Sequence, residues 1–361
     1  MLAISYLAIF LSYLSLLIPG AFKFSKSDAR LVYICIIALF SLSISIRMRG
    51  WDVELYKNIF GEINAVNLDS LWLESGFVKL VSLFKSVGMG FEFFSFFFGF
   101  FTLAITLLAI KRILLLMNVG SYGSFFNAVL VYMSFYFIRG PYGQIRQAAS
   151  MALILFAVSL LPTRKTAFTI VCLIVLASFF HSVAYVAIPS IIAAYFSARY
   201  FHKSLGLVFI FLAGILGSEV VVSQLILPAA ELVSASVAYK LSFYQQNQSG
   251  YSGYLSLELL RWLILVYVIY PYIKNEFSVK FIFFYFIIGV SIYLLLSWDL
   301  RLASRVSRPM ILVEVALWAY ALRVNRMLPY ALKILFLYLI FSIFLLFELF
   351  MLYDGRIIYG F

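Results

Sequence analysis

The stretch "FFSFFFGFFTLAITLLAI" runs from Phe93 to Ile110 without one charged residue. It has neither the period-two alternation of a half-buried strand nor the polar face of a surface helix. About 18 uncharged, mostly apolar residues are the length a helix needs to cross the hydrocarbon layer of a bilayer. There a helix satisfies its own backbone N–H and C=O groups, whereas an open strand cannot. The stretch therefore reads as a membrane-spanning helix.

Working outward, Leu2–Ile18, Leu31–Ile46 and Ile334–Leu352 are runs of the same kind. Hydrophobic residues make up 65% of the 361 residues, aromatics 19% and charged residues 12%. A soluble domain is nearer half apolar and a quarter charged. Hydropathy marks roughly 12 spans, at 2–19, 31–46, 91–110, 122–138, 147–161, 166–180, 183–198, 204–227, 254–272, 280–298, 309–322 and 330–352. At ~20 residues each they leave no room for a soluble catalytic domain. The predicted fold class is an all-α polytopic integral membrane protein, one integral domain over 1–361. Two longer outer-face loops fall at about 47–90 and 228–253. The first apolar run lacks a basic n-region, so it reads as a span and not as a cleaved signal peptide.

Short basic turns alternate along these spans: Lys23, Lys26 and Arg30; Lys111 and Arg112; Arg164 and Lys165; Arg199 and Lys203; Lys274 and Lys280; Arg323 and Arg326. The positive-inside rule makes that side cytoplasmic. The net charge of +12 is then mainly a topology signal, and no nucleic-acid partner is expected. No G-x-x-x-x-G-K-[ST] loop and no G-x-G-x-x-G after a strand occurs, so ATP hydrolysis is not expected. Any bond made must draw on an already activated substrate. His181 and His202 are the only histidines and Cys35 and Cys172 the only cysteines. Their scatter predicts neither metal, cofactor nor disulfide, and the cysteines are expected to pack as small apolar residues.

The same alternation sends Arg47, Arg49, Asp52, Arg139, Arg146, His181, Arg301, Arg305 and Arg308 to the outer face. In "FYFIRGPYGQIRQAAS", Phe135–Ser150, two arginines stand with no acid among them. Gly140, Pro141 and Gly143 are expected to break the helix, leaving Arg146 at a helix N-terminus suited to an anion. Gln144 and Gln147 are available there for hydroxyls. In "DLRLASRVSRPM", Asp299–Met310, the arginines follow i, i+4, i+7 and share a helical face. Three guanidiniums match a phosphate or diphosphate, with headgroup anchoring as the bland alternative. Pro309 suits the first turn of the following helix.

His181 sits between two short spans. A lone histidine is usually a packing residue, but at a mouth near arginines a neutral imidazole can act as a base. Asp52 lies one helical turn from Tyr56 and can orient or deprotonate a hydroxyl, or pair with Arg47 or Arg49. The segment around Phe77, Leu80, Val81 and Phe84 reads as an amphipathic helix on the membrane surface. The loop 238–254 pairs tyrosines with amides, a weak sign of sugar binding. Glu258 can pair with Arg261 at i, i+3. Glu314 inside a span and Glu258 near the outer end of another keep a proton-coupled transporter open as an alternative.

Five short elements resemble one known family: R-x-R-G-x-D-x-x-x-Y (Arg47–Tyr56), E-x-G-F (Glu74–Phe77), G-Q-I-R-Q-x-x-A from Gly143, F-H-S-x-A (Phe180–Ala184) and R-x-x-S-R (Arg301–Arg305). Their order and spacing resemble the EpsG-type group of Wzy polysaccharide polymerases over roughly residues 47–310. Ser75 stands where that family usually has proline, and Arg305 where an aromatic is expected.

The resemblance implies an inverting, metal-independent glycosyltransferase, of GT-C-like membrane architecture, at the outer face of a bacterial inner (plasma) membrane. It would polymerise oligosaccharide repeat units carried on undecaprenyl diphosphate, towards O-antigen, capsule or exopolysaccharide. Partners would be the lipid-linked donor and acceptor, membrane lipids and a chain-length regulator. His181 and Asp52 would be the catalytic candidates. Arg139, Arg146, Arg301, Arg305 and Arg308 would hold the diphosphate, and Arg47, Arg49, Gln144, Gln147 and Tyr56 the glycan. A flippase for lipid-linked oligosaccharide and an O-antigen ligase are the alternative functions.

Overall fold

The uncharged run quoted above becomes the longest helix of the chain's described part, Phe91–Leu116. The computed structural model describes residues 26–47, 53–62, 74–161, 163, 165–216, 257–273, 276–297 and 299–324. Among them every element is helical. In chain order the α-helices are α1 (Lys26–Ser45), α2 (Val53–Glu62), α3 (Ser75–Ser86), α4 (Phe91–Leu116), α5 (Tyr122–Tyr132), α6 (Ile145–Ser159) and α7 (Ala167–Ser178). There follow α8 (Ala187–Tyr200), α9 (Ser204–Leu216), α10 (Leu257–Ile269), α11 (Phe277–Leu295), α12 (Leu300–Ile311) and α13 (Glu314–Val324). A π-helix, Met133–Gly143, joins α5 to α6.

Three of these segments are long and apolar enough to cross a membrane: Phe91–Leu116, Ser182–Tyr200 and Phe277–Leu295. Leu31–Ser45, Ile145–Ser159, Ala167–Ser178 and Ser204–Leu216 are apolar but shorter. The expected spans at 2–19 and 330–352, and the loop at 228–253, lie outside the described residues. The segment at 47–90, expected as an outer loop, contains two helices, α2 and α3.

The described residues fall into two compact units, one up to Tyr185 with Trp318 onward, the other Val186–Leu317. In the first unit, α6 is buried on every side except at Arg146 and Phe156. Ala148, Ala149, Ala152, Ala157, Ser150 and Ser159 keep it thin, so neighbouring helices approach closely. Helices α4, α7 and the π-helix pack on it, and α1 packs on α4. Gly99 marks the closest α1–α4 approach, since a Cβ there would meet the Ile44 side chain at 2.7 Å.

Helix α11 has the same central role in the second unit, with α8, α9 and α12 against it. Ala303, Ser307 and Met310 form the buried stripe of α12. Met310 and Ile311 close on Gly289, where a Cβ would lie 2.7 Å from the Met310 Cβ. A buried ion pair crosses from α10 to α13: Arg261 Nη2 donates to Glu314 Oε1 at 2.6 Å. The pairing of Arg261 thus reaches a residue 53 positions away, beyond the i, i+3 partner its own helix offers.

Four local expectations are corrected. Gly140, Pro141 and Gly143 do not break the helix; the wider π turn accommodates a proline with no N–H to give. The interruption shrinks to Gln144, at φ −112° and ψ 70°. Pro309 lies inside α12 and not in the next helix. Helix α3 does not only lie on a surface: Phe77, Val78 and Val81 are buried in a cluster with Tyr56, Phe94, Phe98 and Ile145. Cys35 and Cys172 are free thiols on exposed positions and do not pack inward.

Removing one partner of the Arg261–Glu314 pair strands a buried charge, a loss of about 3–5 kcal/mol. Glu314→Ala is expected to lower the unfolding temperature in detergent sharply. Arg261→Met with Glu314→Leu, which removes both charges, should recover most of it.

Candidate functional site

Helix direction decides which residues of the first unit can meet. α1 ends near Arg47, α4 begins at Phe91, α6 begins at Ile145 and α7 ends before His181. With α1 antiparallel to α4, α4 parallel to α6 and α6 antiparallel to α7, these four termini come to one end. Lys111, Tyr33 and Phe125 lie at the other, around a cleft of about 240 Å3.

At the first end, the Arg146 side chain leaves the N-terminal turn of α6 and is enclosed by groups from far upstream. Its Nη1 forms an ion pair with Glu74 Oε2, 72 residues away. Its Nε donates to the Tyr56 hydroxyl at 3.3 Å. The guanidinium lies 5.7 Å from the ring centres of both Tyr56 and Phe77, within the reach of cation–π attraction. Tyr56 itself is buried, a cradle for the arginine as well as an expected glycan contact.

Glu74 has a second task. Its Oε1 accepts the backbone N–H of Ser182 at 3.1 Å, and the Phe77 N–H reaches the Phe179 carbonyl at 3.3 Å. A Cβ on Gly76 would stand 2.5 Å from the Phe179 Cβ, so only glycine permits this approach. The segment Glu74–Phe77 is thereby stitched to the turn carrying His181.

The imidazole Nδ1 of His181 accepts the Val183 N–H at 3.1 Å. With Nδ1 used as acceptor, the neutral ring carries its hydrogen on Nε2. The Ser150 hydroxyl points at the His181 carbonyl, at 3.4 Å.

Arg47 is almost wholly buried, at 1% exposure. Its Nη1 donates to the Pro141 carbonyl at 3.3 Å, anchoring the end of α1 to the π-helix. Arg139 is half-buried in that π-helix, while Gln144 and Gln147 are buried at its junction with α6. A π-helix of this kind often marks a functional segment.

The second unit carries the other arginines. All three positions, 301, 305 and 308, belong to α12. They are two residues out of phase with the buried Ala303–Ser307–Met310 stripe, about 200° around the helix. Arg308 is mostly buried and Arg305 half-buried; the side chain of Arg301 lies outside the description. Asp299 caps α12, its Oδ1 accepting the Leu302 N–H at 2.8 Å, a common use of an aspartate at a helix start.

The structure thus brings Arg146, Tyr56 and His181 together, with Arg47, Arg139, Gln144 and Gln147 around the same π-helix and α6 start. Arg49 and Asp52 lie outside the described residues. Sequence reading did not assign Glu74 a role: it appeared only inside E-x-G-F, and no local partner pointed to Arg146.

A helical chain whose apolar segments are long enough to cross a bilayer is a membrane protein. The chain belongs to the EpsG family, which it matches over residues 30–359, the family of Wzy/EpsG-type polysaccharide polymerases. No curated protein and no solved structure matches it.

Glu74→Gln should keep the Ser182 bond but cost the charge-assisted part of the Arg146 contact, about 1.5–3 kcal/mol. Thermal unfolding should fall accordingly. Glu74→Ala should fall further, and amide exchange should speed up at Ser182.

Proposed function

We infer that the chain polymerises oligosaccharide repeat units linked to undecaprenyl diphosphate, at the outer face of a bacterial inner membrane. Family membership supports the polymerase class. The observation that carries the rest is the Arg146 cluster: a guanidinium held by a carboxylate and a phenol at a helix N-terminus, where an incoming anion finds both charge and N–H donors.

In this reading a hydroxyl of the acceptor sugar attacks the anomeric carbon of the donor. The C–O bond to the donor's diphosphate breaks, the glycosidic C–O bond forms, and the lipid diphosphate leaves with the bonding pair. One displacement inverts the anomeric centre. No nucleotide is needed, because the leaving group carries the activation. Charge develops on the departing diphosphate, and prepositioned arginines in a poorly hydrated site stabilise it.

Arg139, Arg146, Arg301, Arg305 and Arg308 are proposed to hold the diphosphate. Arg47, Arg49, Gln144, Gln147 and Tyr56 are proposed to serve the glycan. His181 or Asp52 receives the hydroxyl proton. Because His181 Nδ1 accepts the Val183 N–H, acting as base requires a change of tautomer; as it stands, its Nε2–H suits a donor to phosphate or glycan oxygen. The proposed products are O-antigen, capsule or exopolysaccharide, and a chain-length regulator is a proposed partner.

A flippase for lipid-linked glycans is the second reading, kept by the charge inside the second unit. There Glu314 is ion-paired to Arg261, which favours a fixed support over a titrating carrier.

Deleting the gene and resolving surface glycan by size tests both. The expected result is a single capped repeat unit in place of a ladder, restored by wild type but not by Arg146→Ala at equal protein level. Loss of all surface glycan, with lipid-linked units collecting inside, would favour the flippase; a normal ladder removes both. Unchanged chain length in His181→Ala would remove that residue as the base.

A further inference from the structure

Beside the Arg146 cluster, the first unit holds an apolar cleft of about 290 Å3 between α3, α4, α6 and α7. Thr102 is the one polar side chain among its lining residues. Phe101, 58% exposed, and Leu176 stand at its open side. In a helix of membrane length, a cleft of this composition meets hydrocarbon and not water.

We propose that this cleft holds the carrier-proximal part of a polyprenyl chain whose diphosphate sits at Arg146. The proposal rests on the lipid-diphosphate reading above and adds where the lipid lies. Continuity selects the occupant. Ala149, on the cleft floor, is one helical turn beyond Arg146 on α6. Phe180 immediately precedes His181 in sequence. Leu80 is one turn along α3 from Phe77, whose ring faces the guanidinium. An amphiphile anchored at Arg146 by an anionic head therefore leads its tail along the same three helices into the cleft.

The dimensions and walls fit that tail. At ~30 Å3 for a water-sized group, the space takes about ten carbons, or two methyl-branched isoprene units. Phe84, Phe97, Phe98, Phe101 and Phe180 are five of its eleven lining residues. Rigid rings suit a branched, unsaturated chain, which loses fewer rotamers on binding than a flexible acyl chain. The cleft would then set how the substrate enters: tail first from the bilayer, head last onto Arg146.

The test uses the full-length protein in phospholipid nanodiscs and a polyprenyl diphosphate with a diazirine near the head. Photolabel is expected on peptides carrying Thr102 and Leu153, competed by unlabelled polyprenyl diphosphate. Ala149→Trp, which fills the floor, should cut labelling roughly tenfold, as loss of a buried branched unit predicts. Phe101→Ala changes only the exposed rim and so guards against misfolding; it should weaken labelling too. Labelling that neither variant alters overturns the proposal, as does equal labelling by an acyl-chain phosphatidic acid carrying the same diazirine, which would mean an ordinary lipid groove.

The glycan ladder separates this inference from the polymerase reading. A ladder lost on deletion with no label in the cleft sinks the cleft alone. Label in the cleft with an unaffected ladder sinks the polymerase and leaves the cleft standing.

Discussion

The carboxylate of Glu74 is the contact on which the candidate site depends. One oxygen neutralises Arg146 and the other takes the Ser182 N–H, so three stretches of chain meet at a single side chain. A guanidinium away from water is costly unless a partner of opposite charge and matching geometry is present. Glu74 supplies that partner, with the Tyr56 hydroxyl and two aromatic rings completing the enclosure. Glu74 therefore ties the placement of Arg146 to that of the His181 turn.

Each unit is organised round one apolar helix, and the chemistry of its lining follows from that. Small residues on α6 and Gly289 on α11 let helices close to backbone distance; in an apolar medium such packing replaces the hydrophobic drive between helices. Arg47 is buried at the end of α1, and Arg261 and Glu314 are buried as an ion pair.

Much of this was legible before any coordinates. The run at Phe93 to Ile110 has one reading, because nothing but a long helix can bury it. Arg146 stood out because an arginine without a local acid near an apolar run must find an anion or a distant carboxylate. It was less legible that the carboxylate would be Glu74, since nothing in the local sequence links positions 72 residues apart. Gly140, Pro141 and Gly143 looked like a break because proline and glycine usually end a helix; a π turn absorbs both by widening the ring of hydrogen bonds.

The sequence by itself determined the class of protein, the helical periods, the apolar interiors and the short motifs that carry the family likeness. These are properties of neighbours along the chain: burial in hydrocarbon demands helix, and helical spacing sets which side chains share a face. Only the tertiary structure decided which helix ends meet, that Glu74 holds Arg146 and the His181 turn together, and that an apolar cleft opens one turn from that arginine. Those features join residues from separate helices, and pairing at a distance follows from how the helices pack, which no local pattern encodes.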